Sequence, residues 1–152
     1  MANNHDYIAL DWVKGEIKQT LSQAQNALEA FVKNNQDTPQ MTFCLNHIHQ
    51  VHGTLQMVEF YGAALLAEEM EKLCQVMIDG KVASMEEAQE VLMDSLLQLE
   101  NYLEHIQKGQ RDLPVVLLPV LNDLRALQGQ PLLSDTSLFT PNLSAADVIA
   151  NT

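Results

Sequence analysis

Apolar residues recur every three or four positions in five separate stretches of this chain, the period of one face of an α-helix. The first stretch, about 7–32, carries Leu10, Val13, Ile17, Leu21, Ala24, Leu28 and Phe31. The second, about 39–59, carries Met41, Cys44, Ile48, Val51, Leu55 and Val58. The third, about 61–79, carries Ala63, Leu66, Met70, Leu73, Cys74 and Met77. The fourth, about 85–108, carries Ala88, Val91, Leu92, Ser95, Leu96, Leu99, Leu103 and Ile106. A helix with one apolar face must bury it against another element. Four such helices joined by short loops predict an all-α fold, an antiparallel four-helix bundle. The fifth stretch, about 112–128, is expected to pack against one side or end of it as an additional C-terminal helix.

Local signals mark the boundaries. Asp37 or Thr38 is suited to cap the second helix, with Pro39 at its first position. Asp79-Gly80 reads as a stop for the third, and Ser84-Met85-Glu86-Glu87 as a capping box opening the fourth. Asp112 is suited to cap the fifth, inside which Pro119 should produce a kink. Residues 1–129 therefore read as one domain. Residues 130–152, rich in Ser, Thr, Pro and Asn, read as a linker or tail toward further domains, with Leu138-Phe139 docking back on the body.

Charge narrows the partners. The chain has 20 acidic against 8 basic residues, a net charge of −12, so a polyanionic nucleic acid or anionic membrane surface is disfavoured. No apolar run is long enough to span a bilayer, and the N-terminus lacks the basic and apolar parts of a signal peptide. Cys44 and Cys74 both fall on apolar stripes, the pattern of a reduced pair in a cytoplasmic protein. The acids gather on the third helix and the start of the fourth, whereas 42–58 holds none.

That acid-free stretch carries three histidines, His47, His49 and His52. On a helical wheel His49 lies about 140° from the centre of the apolar stripe, facing solvent. Gly53, one turn on, and Gln56 share this outer surface, and His52 lies nearer the flank. Leu45 is expected to be exposed beside His49. A glycine inside a helix opens room next to the imidazole for another protein surface. A neutral imidazole nitrogen is a competent nucleophile near neutral pH and accepts phosphoryl groups.

The run His49-Gln50-Val51-His52-Gly53 resembles the His-x-x-Lys-Gly signature of the histidine phosphotransfer (HPt) family. His52 stands where that family has Lys, and Glu59 where it has a second Gly, with a Gly instead at Gly62. A wider resemblance runs through Trp12-Val13-Lys14-Gly15-Glu16-Ile17, His49 to Glu71, Arg111-Asp112-Leu113-Pro114 and Leu121-Asn122-Asp123-Leu124-Arg125, and into Leu133 to Phe139. There the chain is similar to the N-terminal HPt-like, FimL-like domain of ChpA (PilL)-type chemosensory hybrid histidine kinases, which control type IV pili and twitching motility.

The resemblance implies a first module of a multidomain kinase, with no enzyme activity of its own. It would relay phosphoryl groups through His49, supported by His52, Gly53 and Gln56. Its partners would be a response-regulator receiver, a pilus-associated scaffold protein and the kinase domains of the parent chain. The domain itself is expected to need no cofactor, Mg²⁺ residing only on a receiver. The alternative is a non-catalytic scaffold, protein-interaction or self-association domain.

No resident metal is expected: His49 and His52 are three apart, but no Glu-x-x-His pair accompanies them. Glu69 and Glu71 fall on opposite flanks of the third helix's stripe. The handedness of the bundle decides which of them meets His49, and a solvated acidic face is the expectation.

Overall fold

The computed structural model describes residues 4–34, 37–109 and 111–138, with the side chains described over 11–136 apart from the gaps. Every regular element among them is helical: α1 (Asn4–Lys33), α2 (Thr38–Met57), α3 (Tyr61–Ile78), α4 (Met85–Gln107), a 3₁₀ turn (Pro114–Leu117), α5 (Leu118–Leu127) and a short α6 (Asp135–Leu138). The first four match the expected stretches to within a few residues.

α1 packs against α2 and α4, and α3 packs against the same two helices, so the four long helices surround one core. Leu21, Leu28, Ile48, Leu55, Leu66, Leu73, Leu92 and Leu99 are fully buried in it, all of them stripe positions. Cys44 and Cys74 are free, buried thiols, and the contact with Cys44, together with burial, pushes the Cys74 thiol up.

The helix ends show which local signals act. Ser84 Oγ accepts from the Glu87 backbone N–H at 3.2 Å, as a capping serine should. Asp37 occupies the corresponding position of α2 but makes no side-chain cap; Pro39 lies in the first turn as expected. α3 ends where Gly80 turns left-handed at φ 69°, its N–H donating to Met77 O. α2 ends in the same way but with Glu59, at φ 67°, in the glycine's role; Phe60 N–H then reaches Leu55 O at 2.9 Å.

The fifth stretch departs from expectation. Residues 114–117 form a 3₁₀ turn and α5 starts only at Leu118, so Pro119 sits in a first helical turn and kinks nothing. Asp112 does not cap this helix. Its Oδ2 instead accepts from the Gly62 backbone N–H at the start of α3 (2.9 Å), and its Oδ1 accepts from the Tyr102 hydroxyl on α4 (2.5 Å). Burial raises the Asp112 carboxyl above the ordinary value of 3.8, against the opposing effect of these hydrogen bonds. Burial, followed by the Asp112 carboxylate, raises the Tyr102 hydroxyl. A Cβ on Gly62 would stand 2.4 Å from Asp112 Oδ1 and 3.2 Å from Pro114 Cγ. The glycine at 62 therefore lets the loop after α4 close onto α3.

α5 packs on α3 and α4. It is fastened by Arg125 Nη1, 2.8 Å from Glu69 Oε2, and by Gln128 Nε2, 3.1 Å from Glu69 Oε1. The start of the expected linker is also held. Asn122 donates to Leu133 O (3.0 Å) and accepts from Leu133 N–H (2.7 Å), while Arg125 Nε donates to Pro131 O (2.6 Å). The expected docking of Leu138-Phe139 lies outside the described side chains.

Candidate functional site

α2 carries no Asp, Glu, Lys or Arg from Thr38 to Met57. Its inner face is fixed by Met41, Cys44, Ile48, Val51 and Leu55, all buried, and that registration turns His49 outward. The His49 side chain is 73% exposed. Gly53 is exposed, with open space where a Cβ would be, and Gln56 is exposed on the same side. The expected clearance beside the imidazole is therefore present.

His52 has a different setting. Its side chain is only 14% exposed, and its Nε2 is enclosed without a hydrogen-bond partner. Its Nδ1 faces Glu71 Oε1 at 2.8 Å. Glu71 also faces His49, whose Nδ1 lies 3.2 Å from each carboxylate oxygen. The two rings meet edge to face with centroids 6.3 Å apart. Instead of standing free at the exposed edge of His49, His52 is turned onto the α3 carboxylate.

A carboxylate only accepts, so both Nδ1 atoms carry hydrogen toward Glu71. The neutral His49 ring then keeps its lone pair on Nε2, away from Glu71. This is the tautomer that a nucleophilic imidazole requires, with its orientation set by a carboxylate on the neighbouring helix.

The expectation of a solvated acidic face on α3 is corrected here. Glu71 is 17% exposed and engaged by the two histidines, and Glu69 is buried against Arg125 and Gln128. Only Glu68 keeps a surface role, 3.3 Å from Lys72 one turn on. Glu69 and Glu71 are two residues apart, about 200° around a helix, so packing on both sides of α3 engages one each. Periodicity placed them on opposite flanks without saying what stood opposite.

Leu45 is a second correction. It is half-buried and packs against the core, bordering a groove shared with Asn46, His49, Glu71, Lys72 and Gln75. The exposed apolar residues of α2 are Phe43 (55%) and Met57 (76%). Met57, two residues past Leu55, lies about 200° from it on the wheel and so faces outward. Phe43 is not among the sequence candidates; its place about 100° from Cys44, off the apolar stripe, is the signal that finds it.

The other two histidines with described side chains are spent on their own helices, His47 Nδ1 pairing with Phe43 O (2.6 Å) and His105 Nδ1 with Asn101 O (2.9 Å). No helix among the described residues is long and apolar enough to cross a membrane.

Comparison with known proteins adds a family to this geometry. Residues 8–120 match the model of the FimL C-terminal domain. The chain is 30% identical over 135 residues to scaffold protein FimL of Pseudomonas aeruginosa, a match covering 89% of this chain and 24% of that protein. No solved structure matches. The matched region takes in α2, α3, α4 and the 3₁₀ turn, and so both the histidine–carboxylate cluster and the Asp112 closure. The chain belongs to the FimL C-terminal domain family.

Proposed function

We propose that this domain is a docking module of scaffold type in type IV pilus signalling, and that it binds its partner through the outward face of α2. The observation that carries this reading is the similarity of nearly the whole chain to scaffold protein FimL. Because the chain spans 24% of that protein's length, the scaffold role is proposed for this domain and not carried over with the whole protein's partners. The geometry supports a protein partner. α2 is a charge-free helix in a chain of net charge −12, with Phe43 and Met57 exposed near its two ends and the open Gly53 between them. A surface without charge loses little on desolvation, and exposed aromatic and methionine side chains are the residues that interfaces favour.

The ChpA-type reading gives this module its setting, as the first domain of a chemosensory hybrid kinase with an HPt-type antiparallel bundle. The partner is then a pilus-associated scaffold or a receiver domain. The test immobilises the chain and measures capture of purified candidates. Retained capture by His49→Gln with loss in Phe43→Ala and Met57→Ala supports scaffolding through α2. Undiminished capture by both surface variants rejects that face.

One observation favours a second reading, phosphoryl acceptance at His49. Glu71 holds His49 at Nδ1 while Gly53 leaves clearance beside the ring. A receiver's aspartyl phosphate would lose its phosphoryl group to His49 Nε2, regenerating the receiver's carboxylate, and the receiver would hold the Mg²⁺. Label from a phosphorylated receiver or cognate kinase core that is acid-labile and absent from His49→Gln supports this. Unlabelled wild type beside a labelled control HPt domain rejects it.

A further inference from the structure

Two imidazoles from α2 and one carboxylate from α3 converge on one point. One ligand atom each from His49, His52 and Glu71 lie within 4.8 Å of one another, the only such group of three among the described residues. The shorter separations, 2.8 Å from His52 Nδ1 to Glu71 Oε1 and 3.2 Å from His49 Nδ1 to either Glu71 oxygen, already approach the spacing of donors around one small cation. With metal–ligand bonds of about 2.0–2.2 Å, tetrahedral ligands stand roughly 3.4 Å apart. Reaching that spacing opens the His52–Glu71 pair by about 0.6 Å and the His49–Glu71 pair by about 0.2 Å, and side-chain rotation brings the ligand atoms of the two imidazoles, within 4.8 Å of each other, to the same spacing.

We propose that His49, His52 and Glu71 form a three-ligand site for a borderline transition-metal cation of the Zn²⁺ class. Two nitrogens and one carboxylate oxygen suit Zn²⁺ and its neighbours, whereas Mg²⁺ and Ca²⁺ take oxygen ligands. Three protein ligands leave a fourth position for water or a donor from a docked protein. The exposure of His49 puts that position on the solvent side.

The surroundings favour a cation. The chain is strongly acidic, α2 contributes no positive residue, and nearby Lys72 is held by Glu68. Binding at Nδ1 moves each ring's remaining proton to Nε2. For His49 that proton meets water, whereas for His52 it enters an enclosed position with no acceptor. His52 Nε2 is without a partner in either tautomer, so binding exchanges an enclosed bare acceptor for an enclosed bare donor and leaves the site weaker than a fully satisfied structural zinc site. The inference concerns the resting cluster: metal on Nδ1 leaves the His49 proton on Nε2, so the occupied site is compatible with scaffold docking on α2 but not with phosphoryl acceptance at that nitrogen.

The experiment uses the whole chain stripped with chelator and titrated with Zn²⁺ by calorimetry and with Co²⁺ by visible absorption. One equivalent should bind, with the intense bands of low-coordinate Co²⁺. Glu71→Gln, His49→Ala and His52→Ala should each weaken binding by about tenfold or more, while His47→Ala leaves it unchanged. Circular dichroism checks that the variants fold. A readout free of substitution comes from imidazole NMR of the wild type, where substoichiometric Co²⁺ should perturb His49 and His52 before the other rings. Absence of binding, binding unchanged in the three variants, or perturbation led by another histidine overturns the proposal.

Discussion

Arg125 of α5 lies 2.8 Å from the carboxylate of Glu69 on α3, a residue whose side chain is only 2% exposed. This ion pair and the Gln128 amide satisfy a carboxylate that the core would otherwise exclude. Removing the cation strands the acid, leaving it the amide alone. Arg125→Ala should therefore lower unfolding stability by about 3 kcal/mol, and replacing both partners with Met should recover most of that loss. Urea unfolding of the single and double variants measures this, and an unchanged midpoint in Arg125→Ala would show that the pair contributes nothing.

Asp112 links the loop after α4 to α3 through Gly62 and to α4 through Tyr102. Its carboxyl is raised by burial, so between its unfolded and folded values the native state holds more protons. Its contribution is thus fully present below the ordinary 3.8 and is lost as pH rises through the raised value. The stability of wild type relative to Asp112→Asn should rise on acidification. Asp112→Ala should cost about 1–3 kcal/mol by leaving Gly62 N–H and the Tyr102 hydroxyl unpaired. Denaturant midpoints across the acidic range test both statements, and parallel curves for wild type and Asp112→Asn would refute the first.

Gly62 is the steric counterpart of that closure. A methyl group there meets Asp112 at 2.4 Å and Pro114 at 3.2 Å. Gly62→Ala should destabilise by about 1–3 kcal/mol despite alanine's better helix propensity. Thermal unfolding reads the sign, since a stabilised variant would mean that the loop yields without cost.

Glu59 takes a left-handed conformation that a glycine adopts freely. Glu59→Gly relieves that conformation but gives the unfolded chain more freedom. The net gain should be roughly 0.5–1 kcal/mol. Chemical denaturation tests it, and a loss of stability would show that the Glu59 side chain makes a compensating interaction.

Phe43 and Met57 should behave as surface residues. Alanine at either position is expected to change stability by no more than about 0.5 kcal/mol, so that lost capture of a partner reports on the interface. A large drop in thermal midpoint for either variant would contradict its exposure.

Much of this was legible in the sequence. Leu21, Leu28, Ile48, Leu55, Leu66 and Leu99 lie on three-to-four spacing and are all core, because a helix cannot hide an apolar stripe except against another. His49, Gly53 and Gln56 fell on the outer face from the same arithmetic. The fifth stretch is less legible. Asp112 and Pro119 both look like helix-start and kink signals locally, yet the hydrogen bonds of Asp112 go to residues ten and fifty positions away.

The sequence by itself determined the helices, the buried face of each, and a charge-poor histidine surface on α2. Only the tertiary structure decided that Glu71 meets His49 and His52 while Glu69 meets Arg125. Periodicity is a property of one helix and fixes directions about its own axis. Which side chains share a point in space depends on the relative rotation and handedness of two packed helices, and that is set by the fit of all their side chains together.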